Sequence, residues 1–252
     1  MRAGATARFF ALVSACTAAG PAAASDLPRP SGEAGRMHAA ESPQHFALDF
    51  RFGPYLPDVD SEFSGAQRPY GSTFGDDGLF LFGVGLDWEY LRVPGGTLSA
   101  GVSLGFMQAV GPARTPSGLP SGEDTVLNIL PVGFPVGFRF DWLAEEVGVP
   151  LVPYVKGGVA VYWWWVLNAG GVAGTDDDPA WGWTPGAFFA PGIMLRLDFF
   201  EPGAARSFDA GFGVNHSYLF FEGLLAWMDG FGSGEVLILS DMTWVAGLAL
   251  EF

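Results

Sequence analysis

Residues Val236 to Phe252 read VLILSDMTWVAGLALEF. Val236, Ile238, Met242, Trp244, Ala246, Leu248, Leu250 and Phe252 share one parity, broken by Ser240. Leu237, Leu239, Asp241, Thr243, Val245, Gly247, Ala249 and Glu251 share the other. A period of two is that of a strand, whose successive side chains leave opposite faces. One face is apolar along its whole length and the stretch stops on an aromatic, as the closing strand of a transmembrane barrel would.

Seven earlier segments alternate in the same way: His45–Tyr55, Leu79–Leu91, Leu98–Val110, Thr125–Trp142, Leu151–Val166, Ala187–Phe200 and Ser207–Phe221. The phase of each follows from which parity is apolar. In the seventh this puts Phe208, Phe212, Val214, Tyr218 and Phe220 outward, with Asp209, Asn215 and Ser217 inward. Long polar connections follow the first, third, fifth and seventh segments, and short ones follow the second, fourth and sixth. Long outer loops, short periplasmic turns and an even strand count define an all-β, eight-stranded antiparallel up-and-down transmembrane β-barrel. A soluble sandwich would put polar residues on its outer face instead. Aromatics near the strand ends, among them Trp88, Tyr90, Phe140, Trp142 and Phe252 at one level and Phe80, Phe106, Trp163, Trp165 and Tyr218 at the other, form two girdles.

Composition agrees. Hydrophobic residues make up 49% of the chain, yet no run of about 18 apolar residues is available for a spanning helix. Arg2, Arg8, an apolar run to Ala15 and Ala22–Ala24 form a secretory signal peptide over residues 1–24. Cleavage after Ala24 competes with a lipoprotein cut before Cys16, the sole cysteine; residues 25–44 read as a periplasmic linker and 45–252 as the barrel. The leader holds two of the twelve basic residues and no acidic one, so its loss takes the formal charge from −15 to −17. That charge excludes nucleic acid as a partner.

The chain resembles the small outer-membrane β-barrel proteins of Gram-negative bacteria, whose last strand bears an assembly signal matched by Gly247, Leu248, Leu250 and Phe252. It is similar in phrasing to an uncharacterised myxobacterial set around Asn128–Asp141 and Glu201–Glu222. The resemblance implies a porin-like envelope protein in the outer membrane, with lipid, lipopolysaccharide and the outer-membrane assembly machinery as partners. It implies no activity.

The inward residues divide by depth. Asp49, Arg51, Asp87, Glu89, Arg139, Asp141, Lys156, Arg196, Asp198, Asp209 and Glu251 fall in the periplasmic half, where opposite charges in a narrow lumen are expected to neutralise one another as a plug. Leu79, Leu81, Met107, Leu127, Ile129, Tyr162, Trp164, Phe188, Leu219, Phe221, Leu237 and Leu239 make the outer half apolar. That half is either a core filled by its own side chains or a pocket for a small lipophilic molecule. Pro131, Pro135 and Pro191, in the strands flanking the fifth, suggest a weakened seam there, since each lacks a ladder amide. The sequence therefore predicts a non-enzymatic structural or surface-interacting barrel. The alternatives are uptake or binding of lipophilic molecules, and a narrow ion pore that would need the plug to move.

No catalytic residue, cofactor or metal is expected. His216 and Ser217 are neighbours and so point to opposite faces of a strand, which separates base from nucleophile, and His216 is placed near the outer girdle. The loops are acidic, with Asp176–Asp178 the densest run, and read as a solvated face.

Overall fold

The computed structural model describes residues 45–63, 68–114, 120–175, 178–200, 203 and 211–252. The leader, the linker, Asp209, Asp176 and Asp177 lie outside these residues. Eight long strands form the sheet: β1 (Phe46–Tyr55), β2 (Leu79–Val93), β3 (Gly96–Arg114), β4 (Pro120–Arg139), β5 (Leu151–Asn168), β6 (Trp181–Arg196), β7 (His216–Trp227) and β8 (Asp241–Glu251). Each pairs antiparallel with its sequence neighbours, and β8 returns to pair with β1, which closes the barrel. Closure leaves no free sheet edge, as backbone amides in lipid require.

The expected phase holds in seven strands. On β2, Phe80, Phe82, Leu86 and Trp88 are exposed while Leu79, Leu81, Asp87 and Glu89 are buried. On β4 the outward apolar run extends from Leu130 to Phe140 and ends above at Asn128, which accepts a hydrogen bond from Gln108 on β3 at 2.8 Å. A span of this length matches the hydrocarbon core, roughly 9–11 residues of tilted strand.

β7 is the exception. It begins at His216, with residues 211–215 before it not in strand and Ser207 outside the described residues, and its phase is inverted: Tyr218 and Phe220 are buried, whereas Leu219 and Phe221 are half exposed on the lipid face. Both faces of β7 are apolar, so alternation alone does not fix its phase. Glu222, 1% exposed, does fix it, because its charge can be satisfied only inside. Two ends also differ from expectation. β6 starts at Trp181, setting Trp181 and Trp183 outward beside Trp165 and Trp163 of β5. Val236–Ser240 is not strand: Leu239 turns inward, fully buried, and its carbonyl accepts the Tyr55 hydroxyl at 2.6 Å.

The proline positions correct the seam. β5 pairs without a break along both neighbours, from Val126↔Leu167 to Arg139↔Tyr154 and from Leu151↔Leu195 to Trp165↔Trp181. The register gaps fall on the opposite edges, between β3 and β4 beside Pro131 and Pro135, and between β6 and β7 beside Pro191. The missing amides of these prolines face β3 and β7, so β5 is intact.

β3 to β6 rise well beyond their counterparts, and the loop after β1 folds over the lower wall. It holds a 3-10 turn (Val59–Glu62) and a short helix α1 (Pro69–Phe74). Val59 and Tyr70 from this loop join the buried core, with Phe74 packed against it. α1 comes so close to β3 that a Cβ on Gly111 would overlap the Thr73 carbonyl. The described part of the loop is thereby fastened to β3 and to the buried core.

Candidate functional site

The lumen is the candidate site. Its periplasmic half is one network. Arg139 on β4 meets Glu89 at 2.8 Å, Asp141 at 2.6 Å and Glu251 at 3.0 Å. Arg51 on β1 meets Asp49 at 2.7 Å and Glu222 at 3.3 Å, and Lys156 on β5 meets Asp87 at 2.6 Å and Asp49 at 3.3 Å. Carboxylates outnumber cations, and hydroxyls take up spare oxygens: Tyr154 donates to Glu222, Tyr218 to Glu251 and Thr97 to Asp141. Arg92 reaches in from the mouth to 3.6 Å from Glu251. Buried charges persist only when so paired.

Glycines make this network fit. The cross-strand partners of Arg51, Asp49, Asp87 and Lys156 include Gly83, Gly85, Gly101 and Gly137. A Cβ on Gly85 would stand 2.5 Å from the Asp49 carboxylate, and one on Gly101 would overlap that of Asp87. Each charged side chain lies over a neighbour that has none.

Arg196 and Asp198 form a separate group at the periplasmic rim. His216 belongs to it, not to the outer girdle: its Nδ1 lies 2.7 Å from Asp198 Oδ2, and the Ser217 hydroxyl donates to Asp198 Oδ1 at 3.1 Å. Imidazole and hydroxyl thus meet on a carboxylate rather than on each other, which is not the arrangement of a base and its nucleophile.

In the outer half Leu79, Leu81, Met107, Leu127, Ile129, Tyr162 and Leu239 are buried, with Trp164, Phe188 and Leu237 packed against them. Leu219 and Phe221 do not belong there, being on the lipid face of β7; Leu224 and Ala226 take their place inside. Sequence reasoning missed Glu222 and Tyr218 as members of the network for the same inverted phase. Among the described residues the lumen holds small cavities, about 30 Å³ within the charged half and about 50 Å³ between Arg51, Tyr162, Phe188 and Leu224. Each has room for about one or two water molecules.

An eight-stranded closed sheet with an apolar outer band, aromatic belts and a charged interior is a membrane-spanning barrel of the outer-membrane class. No protein-family model matches the chain, and no curated protein matches it in sequence. Among solved structures it is similar to Neisserial surface protein A, at 12% identity over 83% of this chain and 97% of that one, with a TM-score of 0.44. It is also similar to the outer membrane protein OprG from Pseudomonas aeruginosa (13% identity, 83% and 96%, TM-score 0.43) and to Ail, the attachment invasion locus protein of Yersinia pestis (11%, 83% and 97%, 0.40). Likenesses this distant carry no argument; the class rests on the closed sheet and its apolar face.

Proposed function

We propose that the chain is a sealed, non-enzymatic barrel of the outer membrane whose working surface is its outer rim, in a structural or surface-interacting role. The observation that carries this is the filled lumen: an ion-paired lower half, a packed apolar upper half, and cavities of about 30 and 50 Å³ within them. An open cleft of about 760 Å³ lies at the outer rim beside Trp164 and Leu237, but uptake of lipophilic molecules would need such a pocket to continue into the lumen, and an ion pore would need the network to part. Phe252, stacked on Phe46 at 6.2 Å, offers its aromatic end to the assembly machinery, and the outer rim meets lipopolysaccharide. The likeness to the myxobacterial set adds no role.

The test is binding of a fluorescent apolar probe to the refolded full chain and to Leu239→Asp, with gel mobility before and after heating as the fold check. Equal, unsaturable signals from both are expected. Saturable binding lost in the variant would establish the uptake reading, and discrete conductance steps in a planar bilayer would establish a pore.

A further inference from the structure

The barrel wall is taller on one side than on the other. β8 has 11 residues and β5 has 18, both reaching down to the periplasmic rim. A tilted strand climbs about 2.5 Å along the barrel axis per residue, so the β5 side stands roughly 15–20 Å higher.

The lipid-facing part of that side is complete well below its top. On β3 the outward residues from Leu98 to Phe106 already take up the roughly 9–11 residues of tilted strand that a bilayer requires. The next outward residue is Gln108, between the buried Met107 and Ala109. Gln108 donates to Asn128 at 2.8 Å, and the register carries this row on through Trp165 to Trp181. Beneath it lies the row of Leu130, Trp163 and Trp183. Above it lie Val110, Val126, Leu167 and Val172. An apolar face thus resumes above the polar pair, with Trp181, Val110 and Val172 at least half exposed. Tilting the barrel to sink this side would push Phe140 and Trp142, exposed at its lower end, out of the membrane.

Continuity says where the cover of this face comes from. Trp163 below the polar pair and Trp165 beside it lie with their rings 5.7 Å apart, so the face runs without a break into the one that meets lipid. What covers it stands directly on that lipid, as the headgroups of the outer leaflet do. Chemistry says which headgroup. Among the described residues of these rows none is charged, so neither a phosphate nor a carboxylate finds a partner. Indole faces attract the polarised C–H face of a sugar ring, and a carboxamide both donates and accepts, as sugar hydroxyls do. Asn128 is 3% exposed and holds Gln108 in place from beneath.

We propose that Trp165 and Trp181, with Gln108 beside them, form a platform for the saccharide headgroup of an outer-leaflet glycolipid whose acyl chains lie against Leu130, Trp163 and Trp183. The sugar lays its C–H face on indole and exchanges hydrogen bonds with the Gln108 carboxamide. Gln108 and Trp165 are two strand spacings apart, about 10 Å, so a headgroup of more than one ring meets both. The inference deepens the contact with lipopolysaccharide proposed above and rests on that reading.

The experiment is urea unfolding of the full chain in phosphatidylethanolamine vesicles doped with lipid A, whose headgroup is a disaccharide, or with phosphatidylglycerol at equal charge. A higher midpoint with lipid A is expected. That excess should fall by half or more in Trp165→Leu and in Trp181→Leu, and vanish when both are changed. It should persist in Trp244→Leu, an exposed indole on the short side. Leucine keeps each site apolar, and comparing the two lipids within one variant cancels any change in basal stability; gel mobility before and after heating verifies each barrel. An excess that survives in the paired variant would overturn the platform and leave the lipopolysaccharide contact standing. No excess in the unaltered chain would overturn both. A concentration-dependent dimer dissolved by Trp181→Leu would give the face to a second copy of the chain and overturn the platform. Probe binding and bilayer conductance test the sealed lumen on the same preparation and are independent of these outcomes.

Discussion

In the periplasmic half of the lumen a single guanidinium, Arg139, holds three carboxylates drawn from β2, β8 and the turn after β4, whereas in the outer half Met107, Ile129 and Leu239 are wholly buried among other side chains. Both halves exclude solvent, by different physics. The charged half depends on partners meeting at defined distances, and the loss of one strands the others. The apolar half depends on volume and can partly collapse around a loss. The difference teaches that one narrow barrel can be filled by brittle and by forgiving means within the same strands.

The comparison can be broken most directly at Arg139. Arg139→Met leaves Glu89, Asp141 and Glu251 without their shared cation and is expected to cost about 3–5 kcal/mol, read by urea unfolding in lipid vesicles. A loss below that of an apolar deletion would mean that the network is not brittle. Ile129→Ala in the upper half should cost about 2–4 kcal/mol with the cavity left behind, by the same measurement. Tyr154→Phe should cost about 1 kcal/mol; a double-mutant cycle with Glu222→Gln sharpens the contrast, because coupling is expected there and none between Tyr154→Phe and Ile129→Ala.

The smallest effect is at the rim. Burial favours the neutral form of Asp198, but hydrogen bonds from His216 and Ser217 outweigh it and hold the carboxyl below its ordinary value. With the folded value below the unfolded one, its stabilisation is present above about pH 3.9 and is lost as pH falls through the folded value. The Ser217 amide, which donates to Asp198 Oδ1, should show an NMR shift titrating below that pH. A midpoint above it would refute the assignment.

Most of the fold is legible because lipid enforces alternation: wherever one parity holds charge or glycine, as in β1, β2 and β4, the other must face out. β7 was illegible for the converse reason, with Tyr218, Phe220 and Leu224 as apolar as Leu219, Phe221 and Leu225. Only Glu222 breaks the tie, and it lies beyond the point where the alternation was read as ending. The plug was visible as a set of charges, but its pairings were not, because Arg139 and Glu251 are 112 residues apart and Arg51 and Glu222 are 171 apart.

Those long separations bear on how the molecule reaches its membrane. Arg51 on the first strand is paired with Glu222 on the seventh, and Arg139 on the fourth with Glu251 at the end of the last. An incomplete sheet cannot make these bonds, so until the last strand arrives the inner face offers its charges to water. The same residues are thus hydrated while the sheet is open and become a latch that fastens only when β8 meets β1.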